Sequence, residues 1–320
     1  MGRRTGAVLL GLAGFLIVVA GLAKWYLYPT LAVAPLDQKT VTTLVGNDVT
    51  YFDKATLTEK TDNVVTTLNT IGDVAASKAY GNNVAIWSQG TATTTSDGTV
   101  ISALKQRTPF DRTSAEAVDC CNANMDGDPV TFTGLIYKFP FNAQKKTYQF
   151  FDNDTRKAWP AVYSGTATLD GLSVYRYVQV IPATLIDTLS VPSKVVGAKP
   201  GTMVSVDQYE SNRALFYVEP ETGVIIKAEQ NPDSVLRYQG KDAVVATRGH
   251  VEYAPGMVQQ NVDTFQPKGQ QLHILRVWVP PICLAIGLIC LVVGGLLTLR
   301  ARRRDEGEAT APEPEPAATA

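Results

Sequence analysis

The sequence predicts an α+β fold, in which a mainly antiparallel β ectodomain is flanked by two transmembrane α-helices. Uncharged apolar runs at 6–23 and 277–299 are each long enough to cross most of a hydrocarbon core as a helix. Between them, short runs rich in Val, Thr and Tyr alternate with turn dipeptides, which is typical of strands and hairpins. We therefore predict an N-terminal anchor (residues 1–28), an extracytoplasmic β-rich domain (29–276), a C-terminal transmembrane helix (277–299), and a basic stop-transfer segment with a disordered cytoplasmic tail (300–320).

The first apolar run has two interpretations. A retained anchor would end at Pro29, after an aromatic belt at 25–28 that suits the membrane interface. A cleaved signal peptide would use the Ala32–Ala34 triplet as its cleavage site. The run is longer than a usual signal-peptide core, Lys24 intervenes, and Pro35 would follow the cut, so we favour the retained anchor.

Basic residues flank the outer ends of both predicted spans: Arg3 and Arg4 precede the first, and Arg300–Arg304 contains four arginines after the second. Because cytoplasmic flanks carry the excess of Lys and Arg, this pattern predicts a two-pass protein of the cell membrane with both termini in the cytoplasm. The formal net charge of −1 gives no indication of nucleic-acid binding.

Small residues recur along both predicted spans and favour close helix packing. They are Ala7, Gly11, Gly14 and Gly21 in the first span and Gly287, Gly294 and Gly295 in the second. The alternative is that glycine is simply common in membrane helices.

Turn signals divide the ectodomain into hairpins. Asp170-Gly171, Asp97-Gly98 and the Pro220–Gly223 segment each separate two strand-like runs. Helical periodicity is weak here, and only Ile181–Ser190 and Ser114–Cys121 are compatible with short helices.

No known catalytic motif appears, and we expect neither enzyme activity, a cofactor nor a metal site. His250 lies in a strand-like run, where a structural or surface role is more usual than catalysis. Asp152 and Asp154 would share one face of a strand, an arrangement that could bind a divalent cation, but a solvated loop fits their surroundings better.

Cys120 and Cys121 are adjacent and are the only cysteines between the two predicted spans. They can form a vicinal disulfide, pair with another chain, or stay reduced. With no other cysteine on the oxidising side, we favour the vicinal disulfide, which would fix a rigid turn.

The segment Thr133–Thr155 is unusually rich in both aromatic and charged residues. Such a segment suits amphiphiles, because rings contact acyl or sugar surfaces and lysines contact anionic headgroups. The candidate lipid-binding residues are Lys138, Lys145, Lys146, Phe150 and Phe151. Alternatively, Tyr137, Phe139 and Phe141 alternate along a core strand, with Lys138 and Pro140 facing outward.

Four stretches together resemble an actinobacterial family of two-pass envelope proteins, largely uncharacterised and often labelled PorA-like porins. They are Phe110–Asn124, Thr133–Asp152, Gly171–Pro182 and Tyr217–Ile226. The resemblance covers nearly the whole chain and implies an envelope location in a high-GC Gram-positive bacterium. It supplies no catalytic residues.

From these observations we expect a non-enzymatic, membrane-anchored ectodomain that binds, shuttles or scaffolds envelope lipids or glycolipids. Membrane lipids, envelope glycolipids, further copies of the chain or other envelope proteins would be its partners. A pore component formed by oligomerised spans is the second hypothesis, and a polysaccharide-assembly enzyme using Asp152 or Asp154 is the third. A membrane-spanning β-barrel is not expected, because the predicted strands are short and one places Arg176 among apolar residues.

Overall fold

The computed structural model describes the backbone of residues 2–309 and the side chains of residues 4–303. Two compact units are present: residues 32–270 form the ectodomain, and the described residues on either side of it form a helical unit. The helices are α1 (Gly2–Leu22), α2 (Tyr28–Leu31), α3 (Val74–Ala79), α4 (Pro255–His273) and α5 (Val279–Ala309). The strands are β1 (Lys39–Asp53), β2 (Thr58–Gly72), β3 (Val84–Thr95), β4 (Val100–Asp111), β5 (Asn124–Met125), β6 (Asp128–Pro129), β7 (Tyr148–Asp152), β8 (Lys157–Leu169), β9 (Leu172–Pro192), β10 (Met203–Val218), β11 (Ile225–Tyr238), β12 (Lys241–Arg248) and β13 (Val251–Tyr253).

Two helical stretches, Arg4–Leu31 and Pro255–Arg303, are long and apolar enough to cross a membrane. Pro29 does not end the first stretch, which continues to Leu31 after a π-helical turn at Ala23–Leu27. A wider turn just before a proline relieves the crowding that the ring causes in a regular helix. The second stretch has the same arrangement, with a π-helical turn at Ile274–Trp278 before Pro280. Its helix runs on to Ala309, past the start of the predicted disordered tail, and residues 310–320 lie outside the described part.

Small residues do bring α1 and α5 together, but on α1 they are not the predicted ones. Gly6 and Ala13 are buried, and a Cβ on Gly6 would lie 2.7 Å from the Cγ2 atom of Thr298. On α5, Gly294 faces the carbonyl oxygen of Gly6 and Gly287 faces that of Ala13. The predicted residues Ala7, Gly11 and Gly14 are exposed, and Gly295 has no neighbour within 4 Å of a built Cβ. The contact stripe, Gly6, Ala13 and Ala20, repeats every seven residues, one residue before the predicted stripe.

The ectodomain is a 13-stranded sheet whose named strands pair in antiparallel fashion, in the order β6-β5-β4-β3-β2-β1-β12-β11-β10-β9-β8-β7, with β13 beside β1 and β11. This confirms the predicted α+β class. Asp170-Gly171 joins β8 to β9 and Asp97-Gly98 joins β3 to β4, as their turn chemistry predicted. The prediction of a helix at Ile181–Ser190 is wrong, because these residues extend β9 along β10. Ser114–Cys121 is not helical either and contributes two isolated bridges.

Those bridges join the two ends of the sheet. On one side, Val118 N–H donates to the Pro109 carbonyl of β4, and Ala117 N–H donates to Gly134. On the other side, Leu135 pairs in parallel with Phe150 of β7. The sheet is therefore closed into a ring at this level by two short non-strand segments.

Helix α4 covers the outer part of one wall and was not predicted. Val258, Val262 and Phe265 pack against Val174 and Ile226. Asn261 Nδ2 also donates to the Ile226 carbonyl at 3.0 Å. The spacing of these three apolar residues, four and then three apart, with Pro255 at the first helical position, is the signal that the sequence contained.

Candidate functional site: the interior of the closed sheet

One wall of the interior carries a ladder of polar side chains. Gln106 of β4, Gln89 of β3 and Thr70 of β2 are register partners on the same face. Gln106 Nε2 donates to Gln89 Oε1 at 3.1 Å, and Gln89 Nε2 donates to Thr70 Oγ1 at 2.9 Å. The face is the inner one, because Thr108 follows Gln106 in the same alternation and is fully buried.

Further along the same wall, the hydroxyls of Thr66 and Thr93 are 2.9 Å apart. Both residues, and Thr91 beside them, face inward by alternation but remain partly exposed. The hydroxyl groups on this wall are therefore partly accessible to solvent, beside Leu68 and Leu104 on the same face.

The opposite wall carries carboxyl groups. Glu210 of β10 is only 5% exposed and pairs in register with Ser234 of β11. Burial, together with the negative charge of Asp154, raises the pKa of Glu210 to about 8. Asp154 lies in the β7–β8 turn with an exposed side chain, yet surrounding protein and the charge of Asp152 raise its pKa to about 6.

Glu210 was not among the residues predicted from the sequence, although the sequence contains a signal for it. In β10 every second residue from Glu210 to Val218 faces inward, and this face changes from Glu210 and Asn212 to Ala214, Phe216 and Val218. A polar start to an otherwise apolar inner face marks where the aromatic core ends.

Aromatic rings fill the neighbouring part of the interior. Phe139 is fully buried, stacked on Tyr177 at 4.4 Å and on Phe150 at 5.5 Å between ring centroids. Phe150 in turn lies 4.8 Å from Phe216. The segment 133–147, predicted to contact lipid or to form a core strand, is instead an irregular segment that enters the ring and packs there.

Phe150 and Phe151, both predicted to contact lipid, are buried. They point to opposite sides of β7, but each side is covered. Phe150 packs on the cluster around Phe139, and Phe151 packs on Phe132 at a centroid distance of 4.9 Å. A strand covered on both faces has no exposed side for either ring.

Lys138 is also inside the fold and only 6% exposed, so its predicted outward, headgroup-facing position is wrong. Its Nζ lies 3.4 Å from the centroid of the Phe141 ring and has no hydrogen-bond partner among the described residues. Burial lowers the pKa of Lys138 to about 7, against the opposing influence of Glu219. Only Lys145 and Lys146 are exposed, lying 5.3 Å from the Tyr175 ring centroid and 5.1 Å from that of Tyr148.

The other candidate residues have structural partners. Asp152 Oδ1 accepts hydrogen bonds from the Thr155 amide at 2.8 Å and hydroxyl at 2.6 Å, and so caps the turn. No group of three possible metal ligands occurs among the described residues. A disulfide joins Cys120 to Cys121.

The outer face of the sheet carries ion pairs. Lys227 Nζ lies 2.9 Å from Glu229 and 2.7 Å from Glu252, and Arg237 pairs with Asp242 at 2.6 Å. Charged pairs on this face suit water rather than hydrocarbon.

Comparison with known proteins gives a consistent result. A family model described as "Porin PorA" matches residues 5–296. A protein of Corynebacterium amycolatum named "Porin PorA" is 26% identical over 378 aligned residues, covering 92% of this chain and 98% of the relative. Another of that name, from Corynebacterium resistens, is 24% identical over 247 residues, covering 57% of this chain and 60% of the relative.

Proposed function

This chain belongs to the PorA porin family, and from that premise we propose that it is a non-enzymatic subunit of a pore in the cell envelope. The family and the two apolar helical stretches indicate a membrane or envelope location. In this proposal the polar interior of the ectodomain supplies an aqueous part of the solute path. The two apolar stretches hold the ectodomain at the membrane.

The observation that carries the proposal is the accessible polar interior. The inner face carries the partly exposed hydroxyl groups of Thr66 and Thr93, and the β7–β8 turn carries the exposed carboxyl group of Asp154. Hydroxyl, amide and carboxyl groups are what a water-filled path presents to solutes. The ion pairs of the outer face argue against direct contact between the sheet and hydrocarbon.

The remaining parts of the proposal concern topology and assembly. Arginines outside both spans support a two-pass arrangement with cytoplasmic termini and an extracytoplasmic ectodomain. Since α1 and α5 present mainly apolar side chains, a single pair of them offers no polar lining. Membership of a porin family supports the assembly of several copies in the envelope, which is part of the proposal.

Conductance of the purified full-length chain in planar lipid bilayers tests this function. Thr66→Trp places a large ring in the interior, whereas Thr67→Trp, its neighbour on β2, places the same ring on the outer face. We expect single-channel conductance from the wild type, a lower conductance from Thr66→Trp and an unchanged one from Thr67→Trp. No conductance from the wild type, or equal effects of the two substitutions, would contradict the proposal.

Of the five residues predicted to bind lipid or glycolipid, only Lys145 and Lys146 are exposed on the surface. If these two lysines contact anionic headgroups, replacing both with Gln should weaken binding to anionic vesicles by roughly 1 kcal/mol each at low salt. Unchanged vesicle binding would contradict the lipid-contact hypothesis and favour the pore.

A further inference from the structure

A surface cavity lies beside the vicinal disulfide, away from the interior of the sheet. Its volume is about 270 Å³, below the range of pockets that hold drug-sized ligands. The lining residues are Asp119, Cys120, Asn122, Ala123, Pro129, Val130 and Thr131. We propose that this cavity binds one neutral sugar ring.

The cavity walls are held in place before any ligand arrives. Ala123 N–H donates to the Cys120 carbonyl at 3.3 Å, and Val130 N–H donates to the Ala123 carbonyl at 3.2 Å, so the two walls are tied to each other. Behind the cavity, Arg107 Nε donates to the Cys121 carbonyl at 3.3 Å. Binding to such a preformed site requires little ordering of the chain.

The disulfide has a local role in this arrangement. A bond between adjacent residues closes almost no chain, so it contributes little through loop entropy. It does constrain the backbone where Cys121 and the following Asn122 have φ values of 65° and 58°, a conformation that side-chain-bearing residues seldom adopt. The bond therefore fixes one wall of the cavity.

The lining chemistry is that of a site for a polyhydroxylated ring. Asp119 offers acceptors, Asn122 offers donors and an acceptor, and Thr131 offers a hydroxyl. None of these three side chains has a hydrogen bond or ion pair with another described residue. Pro129 and Val130 supply the apolar surface on which the C–H face of a sugar packs.

Charge selects against an anionic ligand. Asp119 is the one ionisable side chain in the lining, and no cation lines the cavity. The nearby Arg107 is engaged, because its Nη1 lies 2.9 Å from Asp73 Oδ2. A phosphate or carboxylate would meet repulsion without a counter-charge, whereas hydroxyl groups can donate to the Asp119 carboxylate.

Saturation-transfer NMR on the detergent-solubilised full-length chain tests the site. The probes are methyl α-D-glucopyranoside, methyl α-D-galactopyranoside and methyl α-D-mannopyranoside, with inorganic phosphate as the anionic comparison. We expect transfer to at least one sugar and no phosphate binding. Absence of transfer to all three sugars, or binding of phosphate in their place, would overturn the proposal.

Two variants and one control locate the binding. Asp119→Asn should raise the Kd about tenfold, the usual effect of losing hydrogen bonds to a charged group, and Thr131→Ala should weaken binding less. Asp128→Asn makes the same charge change on the neighbouring hairpin outside the lining, and should leave the Kd unchanged. Equal effects of Asp119→Asn and Asp128→Asn would overturn the proposal, as would sugar binding that survives full reduction of the disulfide.

Discussion

The aromatic and polar parts of the ectodomain interior are built from the same strands. On β10, Phe216 and Glu210 face the same side, yet Phe216 packs among aromatic rings and Glu210 pairs in register with Ser234. The difference lies in which chain segment enters the interior of the closed sheet. Segment 133–147 brings Phe139 against Phe216, whereas Thr66 and Thr93 contact each other through their hydroxyl groups. Strand alternation thus decides which side chains face inward, and an irregular segment decides whether they become a core.

The largest expected effect comes from emptying the aromatic part. Phe139→Ala should lower the free energy of unfolding by about 3–5 kcal/mol, because removing this fully buried ring leaves a cavity between the other aromatic rings that surround it. Thr66→Ala, in the polar part, removes one hydroxyl contact and should cost about 1 kcal/mol. Chemical denaturation of the detergent-solubilised chain measures both. Similar costs would show that the two parts do not differ as described.

The attachment of the aromatic segment can be tested at Gly223. Its φ is +71°, and a Cβ there would overlap the carbonyl oxygens of Phe139 and Pro140. Gly223→Ala should therefore destabilise by about 3 kcal/mol, through backbone strain and displacement of the segment. Gly171→Ala is the matched control, since its φ is +83° but no atom lies within 4 Å of the added carbon. A thermal-unfolding comparison in which both variants lose the same stability would contradict this view.

Glu210 makes the stability of the polar part depend on pH. Its pKa is raised from 4.5 to about 8, so between those values the folded chain keeps a proton that the unfolded chain releases. Stability should fall as the pH rises through this window. Glu210→Gln should flatten that decline and be more stable than the wild type at pH 8 by about 2 kcal/mol. Glu116→Gln, at an exposed site, serves as the control. Parallel pH profiles for Glu210→Gln and the wild type would refute the assignment.

Lys138 should give the opposite slope in the aromatic part. Its pKa is lowered from 10.5 to about 7, so the unfolded chain holds a proton that the folded chain lacks between those values. Stability should therefore rise with pH from about 7 to 10.5. Lys138→Met should remove this slope and stabilise the chain at pH 7 by at least about 1 kcal/mol. Lys145→Met, at an exposed lysine, should not. Stability of Lys138→Met that rises with pH as steeply as that of the wild type would contradict the assignment.

The sequence correctly predicted the features that depend only on neighbouring residues. The turns at Asp170-Gly171 and Asp97-Gly98 and the apolar character of both spans could be read directly. The burial of Lys138 could not, because it depends on Phe141 beside it and on the turn after β10, far along the chain. The alternation of Tyr137, Phe139 and Phe141 imitates a strand, although Phe139 N–H donates to Gly223 and not to a strand neighbour. Glu210 was readable only as a polar residue on an apolar face, and its acidic neighbours come from another hairpin.

The closed sheet also sets the order in which the ectodomain can fold. Its first strand, β1, completes its pairing with β12 and β13, so Thr50 meets Arg248 and Leu44 meets Tyr253. During synthesis, the far edge of β1 must wait until almost the entire ectodomain has been made. Pairings this distant in sequence form slowly, and an unpaired edge invites association with other chains. A nascent chain that stalls before β12 therefore exposes the unpaired edge of β1. Whether it folds or aggregates depends on how quickly the last strands are synthesised.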